Sequence, residues 1–211
     1  MSAPEPPILR WARQIRGHAN ALLHFSSNEY DRERAHHLIA IAAEMTATGL
    51  DLPPAAVLAT FERNLEVFTP LSTVDAAVFD AAGRILLIRR HDDRLWAMPG
   101  GVCEIEETAA AAAVRELREE TGVDAEPIAL LGVWDGRRHR SRSPLHLYQH
   151  IFLCRHLAGV PTPSPEATEV GYFAPTALPP LSPNHQTRIP QVCALYHTWA
   201  STGSFVPYFD L

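Results

Sequence analysis

The chain has 211 residues, 46% of them hydrophobic, a formal net charge of −6 and three cysteines. That length supports one core of ordinary size plus a smaller one, and the acidic balance gives no general ground for binding nucleic acid or an anionic membrane. Cys103, Cys154 and Cys193 are an odd number and widely spaced, which argues against a disulfide framework or a zinc site, and all 18 basic residues are Arg, which excludes lysine chemistry.

Residues 7–24 place Ile8, Trp11, Ala12, Ile15, Ala19 and Leu22 at three- and four-residue spacing, which predicts an amphipathic helix. After a turn at Ser26-Ser27-Asn28, residues 30–49 repeat the pattern through Ala35, Leu38, Ile39, Ala42 and Met45, with Gly49 as the expected C-cap. Pro53-Pro54 opens a third helix that reaches about Asn64. Residues 1–68 are thus expected to form a small helical domain, too small to be stable alone and suited to packing on the rest of the chain or on a second subunit. No apolar run is long enough to cross a bilayer and no signal-peptide core follows the first arginines, so the expected location is cytoplasmic.

At Thr69-Pro70 the period changes and residues 69–211 read as a second domain. Residues 72–80, a turn at Ala81-Ala82-Gly83 and residues 84–90 are predicted as a β-hairpin. Residues 95–98 run into a Pro99-Gly100-Gly101 turn, and residues 107–121 form an alanine-rich helix ended by Gly122. Residues 127–134 and 145–157 are two further strands joined by a basic loop. A short strand at 166–174, a proline-broken connection and a closing helix at 185–199, which Pro190 interrupts or restarts, complete the pattern. The apolar tail after Thr202 is expected to dock on the body or on a neighbour.

The helix after Gly101 carries the chemistry. At 100° per residue Glu116, Glu119 and Glu120 share an arc of about 100°, beside an apolar arc of Ala110, Ala113, Val114, Leu117 and Thr121. Two carboxylates about 4 Å apart repel by roughly 4 kcal/mol at an effective dielectric near 20, so the cluster calls for a cation. Oxygen-only ligands suit Mg²⁺ or Mn²⁺ and not zinc. Gly100 and Gly101 let the backbone approach the helix, where a carbonyl can complete a metal shell or amides can face a phosphate. Arg115 and Glu107 are oppositely charged and could pair across the turn. Any one of these glutamates alone would read as a solvated helix face; the complete set at these spacings reads as a metal site.

Gly101, Glu107, Arg115-Glu116-Leu117, Glu119-Glu120 and Gly122-Val123 resemble the Nudix box at every position, and Trp96, Met98 and Pro99-Gly100 resemble its usual approach. One departure is Glu106, where that family often has glycine. The resemblance implies an α/β fold, the Nudix α/β/α sandwich with a mixed sheet, here preceded by the small helical domain. It implies hydrolysis of a nucleoside diphosphate linked to a moiety X, giving a nucleoside monophosphate and phospho-X, with Mg²⁺ or Mn²⁺ as cofactor. Gly101, Glu119 and Glu120 are then metal ligands, Glu116 is a further ligand or a carboxylate that supports them, and Arg115 and Glu107 are chiefly orienting. The general base is Glu119, Glu120 or a late-loop glutamate, where Glu166 is favoured over Glu169.

The segment at residues 29–34, Val133-Trp134-Asp135 and the run Leu178-Pro179-Pro180-Leu181-Ser182 followed by Arg188 resemble a subset of the family with an N-terminal helical module, whose implied substrates include ADP-ribose and CDP-choline. Dimerisation and a share of the substrate pocket, as a cover over it, are the implied tasks of that module. Arg90, Gly100, Trp134, Arg137 and Arg138 are the candidate substrate contacts. Trp134 reads either as a stacking platform or as core. The loop carrying Arg137, Arg138, Arg140 and Arg142 reads as a clamp for a distal phosphate, as a nucleic-acid contact or as a solvated hairpin tip. Two other functions stay open from sequence: RNA 5′-end pyrophosphohydrolase, which the arginine loop would suit, and a nucleotide sensor without turnover, against which the complete glutamate set argues.

Overall fold

The computed structural model describes residues 6–65, 70–104 and 106–211. Two compact units divide the chain: one takes Met1–Pro70 together with Arg142–His146, the other Leu71–Ser141 and Leu147–Leu211. The change of period expected at Thr69 lies outside the described residues.

The first unit holds α1 (Pro7–Phe25), α2 (Glu29–Leu50) and α3 (Pro54–Glu62). Asn28 caps α2, its Oδ1 accepting from the Tyr30 N–H at 2.9 Å. Alanines 12, 19, 35, 42, 43 and 47 interleave with Leu23, Ile39, Val57 and Phe61 in one core. Gly49 is not the C-cap. That place falls to Asp51, left-handed at φ 55°, while Gly49 lies inside α2, where a Cβ would come within 2.8 Å of Leu9 Cγ on α1. Its lack of a side chain therefore serves close helix packing instead of termination.

The second unit contains β1 (Leu71–Val78), β2 (Ile85–Arg90), β3 (Trp96–Ala97), β4 (Gly100–Val102), α4 (Ala109–Thr121), β5 (Asp124–Asp135), β6 (Leu147–Ala158), β7 (Ala167–Phe173), α5 (His185–Thr202) and β8 (Tyr208–Phe209). A mixed sheet runs in the order β4-β1-β6-β5-β8, with β1 parallel to β6, and a second, antiparallel sheet runs β3-β2-β7. Alternation along β1 sends Val74, Ala76 and Val78 towards Ala112, Ala113 and Leu117 of α4, and Ala77 towards Ile189, Val192 and Cys193 of α5. The result is the α/β/α sandwich with a mixed sheet.

The predicted hairpin over residues 72–90 is not formed. Asp80 Oδ1 does close a tight turn by accepting the Ala82 and Arg84 N–H groups, but only Phe79 bridges Ile85, and β1 and β2 then enter different sheets. Residues 74–78 are buried throughout, and β1 has a neighbour on each edge, β4 and β6. A strand covered on both faces reads as a continuous apolar run and not as half of an exposed hairpin. The helix predicted from residue 107 begins at Ala109, because Thr108 is its N-cap and accepts the Ala111 N–H at 3.2 Å; Glu107 is thereby left in the loop. α5 continues through Pro190 to Thr202 without a break. The tail docks: Tyr208 stacks on Trp134 at 4.7 Å, and Asp210 accepts the Asp135 N–H at 2.7 Å.

Candidate active site

Strand β1 delivers Asp75, β2 delivers Arg90, β4 delivers Gly100 and Gly101, which pair with β1 where a turn was expected, and α4 delivers Glu120. Together with Glu166, just before β7, and with His185 and Arg188 of α5, they line one cavity of about 470 Å³, a size suited to a small-molecule ligand.

The loop before α4 is held to it by Arg115. Its guanidinium donates to both Glu107 oxygens (2.7 and 3.1 Å), to Glu116 Oε1 (3.0 Å), to Glu119 Oε2 (3.2 Å) and to the Val102 carbonyl (3.3 Å). These bonds hold the Glu107 carboxyl below its ordinary range. Glu120 reaches the other side of the turn and accepts the Gly100 N–H at 2.7 Å. It is 7% exposed, and burial pushes its pKa up to about 8; the Gly100 bond opposes the rise, while Glu116 and Glu166 add to it. Burial raises Glu116 as well.

Both glycines are required by space. A Cβ on Gly100 would run into the Val74 carbonyl and come within 2.8 Å of Asp75 Cα, and one on Gly101 would lie 2.5 Å from Glu116 Cδ. Among the described residues, no three His, Cys, Asp or Glu side chains already stand as a metal cage; Glu116 and Glu119 turn to Arg115 instead. The chemistry of the donors nonetheless fits a hard divalent ion. Glu116, Glu119 and Glu120 offer only oxygen, and the Gly101 backbone abuts the Glu116 carboxylate, so these four could hold Mg²⁺ or Mn²⁺.

Beside them lies a buried polar group. Asp75, Arg188 and His185 are 6%, 1% and 3% exposed. Arg188 Nη1 donates to Asp75 Oδ2, and Arg188 Nη2 lies 3.1 Å from His185 Nε2. Burial, then the charges of Arg188 and Arg90, hold His185 well below the ordinary histidine range and therefore neutral; its Nδ1 accepts the Met98 N–H at 3.4 Å. Sequence reasoning missed Asp75 and His185, and met Arg188 only as the end of a resembling segment. The three-residue spacing of His185 and Arg188 on one helix was the available signal; nothing in sequence links Asp75 to a partner 113 residues away.

The remaining expectations divide. Glu166 lines the cavity, whereas Glu169 is paired with Arg89 at 2.5 Å on β7 and does not. Arg90 lines it, with Nε donating to Asp92 Oδ1 at 2.9 Å. The Glu119 side chain is 59% exposed and stands outside the lining residues, on the Arg115 side of the helix. Trp134 is fully buried, its Nε1 donating to Gln191 Oε1 at 2.7 Å, so it is core and not a platform in the cavity. Arg137 is bound to Asp135, and Arg138 lies exposed on the short 3-10 turn Gly136–Arg138; neither lines the cavity.

This fold, with a glycine turn clamped to a carboxylate helix beside a charged cavity, places the chain in the Nudix hydrolases, and it is an enzyme of that family. The family model described as the NUDIX domain matches residues 69–194, and that described as the UDP-X-like, N-terminal oligomerisation domain matches residues 6–61. A putative ADP-ribose pyrophosphatase, YjhB of Bacillus subtilis, is 37% identical over 180 residues, 85% of this chain and 86% of that protein. An ADP-ribose pyrophosphatase of Methanocaldococcus jannaschii is 32% identical over 56% of this chain and 69% of its own length. Among solved structures, a UDP-X diphosphatase superposes with a TM-score of 0.60 at 25% identity, covering 97% of this chain and 98% of that one.

Proposed function

We propose that the protein is a Mg²⁺- or Mn²⁺-dependent pyrophosphohydrolase acting on a nucleoside diphosphate linked to a moiety X, releasing a nucleoside monophosphate and phospho-X. The observation that carries this reading is the convergence in one cavity of Arg90, the Gly100-Gly101 turn, Glu120 and Glu166: a cation for phosphate oxygens, backbone open to close approach, and carboxylates on the same cavity. Glu116, Glu119, Glu120 and the Gly101 carbonyl would hold a divalent ion, which would supply charge neutralisation of the diphosphate. Arg90 binds and orients a phosphoryl group. Glu166 accepts the proton of the attacking water. Arg115 holds the loop, and with it the Gly101 carbonyl, against the helix. The buried Asp75–Arg188 pair and neutral His185 fix the cavity wall so that its charges need not reorganise during reaction.

The names of the relatives favour ADP-ribose and UDP-linked diphosphates as first substrates to try. The reading includes a homodimer, supported by the oligomerisation description of the helical module and by Trp11, Phe25, Tyr30 and Ile41 on its surface, 50%, 81%, 73% and 48% exposed. Among the described residues no helix is long and apolar enough to cross a membrane, and a cytoplasmic location is part of the proposal. The test is a panel of ADP-ribose, CDP-choline, UDP-sugars, dinucleoside polyphosphates and triphosphorylated RNA, each with Mg²⁺, with Mn²⁺ and with chelator. Turnover of a nucleoside diphosphate derivative, abolished by chelator, is expected. Turnover of the RNA alone, or of nothing with either metal, overturns the proposal.

A further inference from the structure

The cavity also holds a group that diphosphate cleavage does not use. Gln149 on β6 lines it and is 4% exposed, and among the described residues its Oε1 meets no donor. Its neighbours across the sheet are committed elsewhere. Trp134, its partner on β5, donates to Gln191, and Thr73, its partner on β1, donates its hydroxyl to the Tyr148 carbonyl at 3.3 Å. A buried acceptor left unmet costs about 1–3 kcal/mol, and the great majority of buried polar atoms find a partner. The acceptor thus calls for an N–H or O–H from a ligand.

The lining is graded in charge. Register places Gln149, Thr73 and Val102 in one row across β6, β1 and β4, two strand spacings or about 10 Å from end to end. Val102 directly follows the Gly100-Gly101 turn. Thr73 and Leu147 give the Gln149 end uncharged walls, whereas Asp75, Arg90, Asp92, Glu120, Glu166 and Arg188 supply the charges of the cavity. A diphosphate belongs with the charges. The uncharged end, two strand spacings from Val102, suits a flat uncharged ring.

We propose that Gln149 reads the nucleobase, its Oε1 accepting an N–H and its Nε2 donating to the adjacent acceptor on the same edge, a bidentate amide contact. The proposal rests on the preceding reading only in taking the ligand to be a nucleotide. The recognised chemistry is an N–H beside an acceptor. The imide edge of uracil and the amino and ring-nitrogen edges of cytosine and adenine all carry it.

Calorimetric binding of UMP, CMP and AMP to the full chain with Mg²⁺ separates these sources. Each is compared with a counterpart lacking the N–H, methylated once on the uracil ring nitrogen and twice on the cytosine or adenine amino group, and with ribose 5-phosphate, which has no base. The set is repeated on Gln149→Met, similar in volume but unable to pair. For the preferred nucleotide, methylation is expected to weaken binding to the parent about 10-fold or more. Gln149→Met is expected to cost as much, to erase the difference between methylated and unmethylated forms, and to leave ribose 5-phosphate unchanged. The methylation arm uses the parent protein and does not depend on how the variant folds. Equal binding of methylated and unmethylated nucleotides to the parent overturns the assignment while leaving hydrolysis of the diphosphate standing; a parent that hydrolyses no nucleoside diphosphate derivative overturns the preceding reading alone.

Discussion

Substituting alanine at Gly101 and at Gly100, one residue apart, separates what the turn does for the site from what it does for the fold. At Gly101 the new methyl would lie 2.5 Å from Glu116 Cδ and 2.8 Å from its Oε2, where ordinary contact begins at 3.4 Å, so the carboxylate must retreat by about 1 Å. Glu116 is a flexible side chain, and Gly101 is not in the left-handed region, so the fold should tolerate the change within about 1 kcal/mol. A misplacement of about 1 Å at a catalytic group costs on the order of 100-fold in rate. Gly101→Ala is therefore expected to unfold near the parental temperature while losing Mg²⁺ affinity and about two orders of magnitude of turnover. At Gly100 the obstacles are the Val74 carbonyl and Asp75 Cα, both backbone, across the Asp75–Gly100 pairing of β1 and β4. Neither can move without opening the pair, a cost of about 1–3 kcal/mol, which lowers the melting temperature by roughly 2–12 °C at about 2–4 °C per kcal/mol. Thermal unfolding, calorimetric Mg²⁺ titration and initial rates measure all three quantities. Gly101→Ala with parental Mg²⁺ affinity and rate would refute the claim that the glycine exists to admit the Glu116 carboxylate.

Other expectations concern charge and backbone. Because burial raises the folded pKa of Glu120 to about 8, the metal-free protein favours the protonated form, and this carboxyl makes stability fall as pH rises from its ordinary range through about 8, each pKa unit being worth about 1.4 kcal/mol. Glu120→Gln should flatten that slope in chelator and abolish turnover; urea unfolding from pH 5 to 9 that shows the same slope in both proteins would remove Glu120 as its source. Arg188→Met should destabilise by about 3–5 kcal/mol by leaving Asp75 charged and buried, and adding Asp75→Asn should recover part of the loss; a double variant no more stable than the single one counts against a buried ion pair. Glu106 sits at φ 70°, so Glu106→Gly should relieve roughly 1–2 kcal/mol of left-handed strain, less about 0.4–1 kcal/mol of added freedom in the unfolded chain. A lower urea midpoint in Glu106→Gly would contradict that estimate.

What the sequence made legible was local chemistry at fixed spacing. The arc of Glu116, Glu119 and Glu120, the Gly100-Gly101 turn and the Glu107–Arg115 pair all lie within 21 residues, where helix and turn geometry translate directly into space. The departure at Glu106 was visible too, and its left-handed backbone explains why the family often has glycine there. Long-range pairing was not legible. The apolar run of β1 could not say that its neighbours are β4 and β6 instead of β2. Asp75, Arg188 and Gln149 are brought to one cavity by strand register and by the packing of α5, for which single residues give no pattern. Trp134 was ambiguous because an aromatic that stacks on Tyr208 in a core and one that stacks on a base have the same local sequence.

The central claim is cleavage between the two phosphorus atoms, and the direct measurement is analysis of products formed in heavy-oxygen water from the best substrate of the panel. Equimolar nucleoside monophosphate and phospho-X, with a single heavy oxygen in one of them, is the expected result. Release of free X with a nucleoside diphosphate, or of orthophosphate, would contradict it.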